Sequence, residues 1–115
     1  MVANMSMTIN EVLDGLQFAV HEAASAIAIE DSAFKTPREL LEEIRTKDQP
    51  LHTALIVFFL AQKRWFIQSC VLEDFGGAQD TQEQAELLAK RTDKDVKRKK
   101  LVEEIKRRKQ QRTGA

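Results

Sequence analysis

Acid–base, nucleophilic or metal chemistry in this 115-residue chain would fall to two histidines, His21 and His52, one cysteine, Cys70, and two adjacent carboxylate pairs, Glu42-Glu43 and Glu73-Asp74. Their spacing brings none of them together. The Glu-x-x-His step of carboxylate-bridged di-iron bundles needs Glu where Phe18 and Gln49 stand, and no His-Glu-x-x-His, Cys-x-x-Cys or acidic calcium loop is present. Neighbouring carboxylates on a helix point about 100° apart and do not converge as an acid/base pair must. Cys70, between Ile67 and Val71, reads as a small hydrophobe, with a nucleophile served by a distant His as the alternative. Gly76-Gly77 is too short to cradle a phosphate and reads as a helix C-cap. The expectation is a non-enzymatic protein with no metal and no cofactor.

Trp65 beside Lys63 and Arg64 reads two ways. It is an aromatic–cation patch for a partner, or a core or dimer-seam residue whose neighbouring cations reach solvent.

Charge carries a stronger signal. The formal net charge is zero, yet residues 1–89 hold 6 Lys or Arg against 14 Asp or Glu, a net of −8, while residues 90–115 hold 12 against 4, a net of +8. An asymmetry of this size points to a nucleic-acid, membrane or acidic-protein partner, or to mutual neutralisation of the two segments. On a helical wheel Arg91, Lys94, Arg98, Lys109 and Arg112 fall on one side together with Leu87, Leu101, Val102 and Ile105. Asp93, Glu103 and Glu104 fall elsewhere, and Asp95 near the border, which leaves a cationic stripe almost free of acid.

Three uses fit that stripe. Arg91, Lys94, Arg98, Lys109 and Arg112 suit a phosphate backbone, where each neutralised phosphate releases counterions. Leu101, Val102 and Ile105 suit docking in the groove of an acidic protein, the helix then serving a chaperone, scaffold or inhibitor. Alternatively the helix lies against its own acidic body. The leading expectation is a small adaptor or regulatory binding protein that engages a polyanion, nucleic acid first and an acidic protein second. A membrane surface fits least, because the stripe lacks Trp, Phe and Tyr.

The elements that must position these residues are helices. Only four Gly and two Pro interrupt the chain, too few for the turns of a sandwich or barrel. Thr8 and Glu11 form a T-x-x-E capping box, followed by Ile9, Leu13, Leu16, Val20, Ala23 and Ile27 as one seam, widened by Val12, Ala19 and Ala26. Thr36-Pro37-Arg38-Glu39 is a second box with Pro at the first helical position. A third helix from Leu51 to Asp74 is apolar on most of its circumference, and Asp80 to Gln84 open a long basic fourth. Five acid-to-base pairs at i, i+4 support that last helix: Glu86–Lys90, Asp93–Lys97, Asp95–Lys99, Glu103–Arg107 and Glu104–Arg108.

The chain is therefore expected to be all-α, a small bundle of three helices near 8–30, 37–47 and 51–74 with a long basic C-terminal helix near 81–111. Residues 1–7 form a frayed N-terminus, 8–75 the acidic helical body, 76–80 a Gly-containing hinge and 81–112 the basic helix. A helix apolar nearly all round needs more cover than two short helices supply, so a homodimer is expected. The lone Cys70 rules out an intrachain disulfide, and residues 1–7 lack the basic and apolar regions of a secretory signal, which suits a cytoplasmic setting. The longest apolar run, Ala54 to Ala61, is far short of the roughly 20 residues that span a bilayer, so membrane insertion is not expected.

Overall fold

The computed structural model describes residues 9–113, with side chains from 11 to 112. Residues 1–7 and Thr8 of the first capping box lie outside the described residues. The described chain is all-α: α1 (Ile9–Ala26), a 3-10 turn (Ser32–Phe34), α2 (Pro37–Lys47), α3 (Gln49–Asp74) and α4 (Thr81–Thr113).

Each boundary has a local cause. The 8–30 expectation overran α1, which stops at Ala26 in a Schellman motif: the Ile29 N–H donates to the Ala24 carbonyl at 3.1 Å and the Ala28 N–H to that of Ser25 at 3.2 Å. Ala28 supplies the left-handed residue (φ 59°) where glycine is usual. Ile29 is buried in the same cluster as Ala24, and that burial offsets the roughly 1–2 kcal/mol cost of the conformation. The Thr36 capping box forms as the sequence implies, the Thr36 hydroxyl accepting from the Glu39 N–H at 3.2 Å and the Glu39 carboxylate from the Thr36 N–H at 3.4 Å. Helix α3 starts two residues earlier than Leu51 because the Asp48 carboxylate caps it, accepting from the Leu51 N–H at 3.2 Å. Pro50 stands in the first turn, where no N–H is required. At its other end Gly76 (φ 86°) closes a second Schellman motif. The Gln79 amide donates to the carbonyls of Phe75 and Gly77, and Asp80 then caps α4 through the Glu83 N–H at 2.7 Å. The connection from α3 to α4 is thus a tied turn.

Helices α3 and α4 run antiparallel and make the most extensive pairing in the fold, Asp48 meeting Arg108 at one end and Trp65 meeting Lys94 farther along. Helices α1 and α2 pack around the Asp48 end. One core cluster joins Val20, Ala23 and Ala26 of α1, Leu40 and Ile44 of α2, Leu51, Leu55 and Phe58 of α3, and Leu101 and Ile105 of α4. The result is elongated, 52 × 25 × 24 Å. The α1 seam enters this cluster only from Leu16 onward, and Leu13 is exposed.

Helix α3 is long and apolar enough to cross a bilayer by length and composition alone, a property that counting consecutive apolar residues misses because Gln62, Lys63 and Arg64 interrupt the run. In this fold its inner face is taken by the other three helices. Its outer face leaves Val57, Leu60, Ile67 and Val71 exposed, at spacings of three, seven and four residues that keep them on one side.

Leu101, only 2% exposed, sits in the cluster shared by all four helices. Leu101→Ala is expected to destabilise the fold by about 3 kcal/mol. A truncation ending at Ala89, which also removes Ile105, should abolish the cooperative thermal transition followed by circular dichroism; a transition unchanged in either variant would refute this packing.

Candidate functional site

The acid-poor stripe of α4 faces the body. Leu101 and Ile105, at its centre, are core residues, whereas Val102 is 39% exposed beside them. Three of its five cations are engaged by the chain itself. The Lys94 ammonium lies 4.0 Å from the centroid of the Trp65 ring, Lys109 is paired with Glu22 of α1 at 2.6 Å, and the Arg112 guanidinium donates to the Ser25 carbonyl at the end of α1. Arg91 and Arg98 are exposed, and neither forms an ion pair among the described residues.

The strongest tether between α4 and the body is Arg108. Its fork donates to both Asp48 oxygens, from Nε to Oδ2 and from Nη2 to Oδ1 at 3.0 Å. Its Nη1 reaches the Glu104 carboxylate at 2.6 Å and the Glu104 carbonyl at 2.9 Å. Side-chain exposures of 11% for Arg108 and 19% for Asp48 place this pair away from bulk solvent, where screening is weak. Hydrogen bonding to Arg108 holds the carboxyls of Asp48 and Glu104 below the usual range against the opposing effect of burial, and the same bonds raise Arg108 further. Of the five expected i, i+4 pairs only Asp93–Lys97 and Glu104–Arg108 form among the described residues, and Arg107 turns to Glu104 instead of Glu103.

Where α4 lies beside α1 the two helices do not close against each other. A groove of about 530 Å³ runs between them over α3. Phe58, Leu101 and Ile105 form its apolar floor, and Gly15, Phe18 and Ala19 of α1 its wall, with Phe18 68% exposed. Lys94, Arg98, Lys106 and Lys109 stand on the α4 side. Arg98 and Lys106 are the cations there that have no ion-pair partner among the described residues. On the opposite flank of α4 a trough of about 500 Å³ is lined by Val57, Val96, Lys97, Lys100, Glu104 and Arg107; there Lys97 and Arg107 are neutralised by Asp93 and Glu104, and Lys100 has no ion-pair partner among the described residues.

The groove also contains Gln62, 8% exposed, whose amide makes no hydrogen bond among the described residues. The amide still reaches solvent through the groove and would need a bonding partner if the groove were covered. Gln62, Lys106, Phe18 and Phe58 were not singled out from the sequence. The signal for Gln62 was present: Leu51, Leu55, Phe58, Gln62 and Trp65 follow strict four-three spacing, so a polar residue occupies a buried seam position. Phe18 is the aromatic that the α4 stripe lacks, and only the crossing of α1 over α4 brings it there.

The residues that first suggested chemistry stay apart. His21 is half-buried on α1, His52 is in the first turn of α3, and Cys70 is half-buried far along α3. No three metal-ligating side chains converge among the described residues. No protein-family model, curated protein or solved structure matches the chain.

Because Asp48 and Glu104 titrate lower when folded, their pairing contributes stability that is complete above the ordinary carboxylate range near pH 4 and is lost as pH falls through the folded values. Arg108→Gln is expected to cost about 2 kcal/mol at neutral pH and to flatten the fall of melting temperature below pH 4. Thermal melts of both proteins between pH 7 and the acid limit, covering about pH 2 to 7, check this; parallel curves would show that Arg108 is not the partner that matters.

Proposed function

We propose that this chain is a non-enzymatic adaptor or regulatory binding protein in which the basic helix α4, packed as the fourth member of a small helical bundle, engages an anionic partner. The observation that carries this reading is the pair Arg98 and Lys106, without ion-pair partners among the described residues, on the rim of an apolar-floored groove whose other cations, Lys94 and Lys109, are engaged internally. Two unneutralised cations on one edge attract anion. The apolar floor favours an acidic protein segment over nucleic acid, since a phosphate backbone gains nothing from Phe58, Leu101 and Ile105 beneath it. Nucleic acid remains the second reading on the strength of the exposed Arg91, Arg98, Lys99 and Lys100 along the same helix.

The test is titration of the full chain against labelled poly-L-glutamate and a labelled single-stranded oligonucleotide. Arg98→Glu with Lys106→Glu should weaken anion binding about tenfold and leave the melting temperature nearly unchanged, since neither side chain is in an ion pair among the described residues. Tighter binding of the oligonucleotide than of the acidic polypeptide would shift the partner to nucleic acid, and binding of neither would end the reading.

The same reading includes a homodimer formed through the outer face of α3. Val57, Leu60, Ile67 and Val71 form an exposed apolar strip, interrupted only by Arg64, along a helix whose inner face is already packed. A second copy covers it with the same strip. Sedimentation at tens of micromolar should give twice the chain mass, and Leu60→Ser with Ile67→Ser should return it to a single chain; a wild-type monomer at that concentration would remove the dimer.

A further inference from the structure

Building on the anionic-partner reading, we infer that the groove between α1 and α4 is a seat for an acidic amphipathic helix of a partner protein, and that Gln62 sets its register. Three features converge. The groove is lined along α4 from Lys94 to Lys109, which at 1.5 Å per residue is a channel of about 22 Å, the length of a helix of about 15 residues. Its floor offers Phe58, Leu101 and Ile105 to the apolar face of such a helix, and the exposed Phe18 and Val102 add apolar lining. Arg98 and Lys106, without ion-pair partners among the described residues and eight residues apart on one flank, stand about two turns from each other and match carboxylates at the same separation on the guest.

Gln62 distinguishes this seat from a generic greasy channel. Gln62 is 8% exposed as a residue, forms no hydrogen bond within the chain among the described residues and lines the groove, where its amide keeps the solvent access that a docked helix would remove. A helix that placed a side-chain amide or hydroxyl opposite it would satisfy both groups. One that placed leucine there would leave the amide unpaired and lose affinity. A single polar position inside an apolar seam sets register in this way between coiled helices. The acidic charge supplies attraction and orientation, and the Gln62 layer chooses which helix fits.

The experiment uses the full chain and a panel of fluorescein-labelled helical peptides of about 15 residues. The panel varies charge (acidic, neutral or basic) and the central seam residue (Gln or Leu). The acidic peptide with seam Gln should bind tightest, about tenfold better than its basic counterpart and several-fold better than the acidic peptide with seam Leu. Gln62→Leu should leave the fold intact and remove or reverse the preference between seam Gln and seam Leu, which a merely structural role for Gln62 would not do. Phe18→Ala, at an exposed position, should weaken the acidic peptide while leaving the fold intact. Equal binding of acidic and basic peptides, or a seam preference indifferent to Gln62→Leu, would overturn the inference. If no peptide binds while an oligonucleotide or poly-L-glutamate still depends on Arg98 and Lys106, the helix seat fails and the anionic-partner reading stands. If those probes are also indifferent to Arg98 and Lys106, both fail.

Discussion

Helix α3 is apolar around most of its girth, and the rest of the molecule is arranged by the need to cover it. Near Asp48 all four helices share the task, and the buried cluster from Val20 to Ile105 is the outcome. Farther along, Trp65 of α3 meets Lys94 of α4, and Leu60, Ile67 and Val71 stay exposed on the outer side of α3. The contribution of α4 is therefore structural before it is anything else. Leu101 and Ile105 are the side chains it lends to the core.

That requirement also settles how the divided charge of the chain is used. The basic helix must lie along an acidic body to reach its core positions, and the body meets it with Asp48, Glu22 and the carbonyl of Ser25. Arg108 is the most committed of these cations: its planar fork takes both Asp48 oxygens while Asp48 also caps α3, so one carboxylate ties the α2–α3 corner to the far end of the chain. Part of the tail's charge is thus engaged within the chain, while among the described residues Arg98 and Lys106 on the groove side, and Arg91, Lys99 and Lys100 elsewhere on α4, form no ion pair.

Much of this was legible residue by residue. The Thr36 capping box, the cap at Asp80, the Gly76 terminator and the all-helical character follow from chemistry within a few residues, and the structure shows each of them. The end of α1 was not legible, because Ile27 and Ile29 continue a helical period while Ala28 turns left-handed to bury Ile29. The helical wheel separated the acid-poor stripe from the rest of α4 but could not say what faces it, since a stripe of Leu101, Ile105 and flanking cations has the same pattern whether its neighbour is a partner or the chain's own body. Gln62 lay in plain view on a four-three seam among Leu51, Leu55, Phe58 and Trp65, where a wider apolar periphery obscured it.

The sequence by itself determined the helices, their caps and the polarity of charge between body and tail, because these depend on interactions within a turn or two of chain and on composition. Only the tertiary structure decided that the stripe of α4 is shared between core and groove, that Phe18 stands opposite Arg98 and Lys106, and that Arg108 is bound to Asp48 sixty residues away. These depend on how helices cross, and crossing is set by the packing of whole faces over α3, which no local pattern encodes.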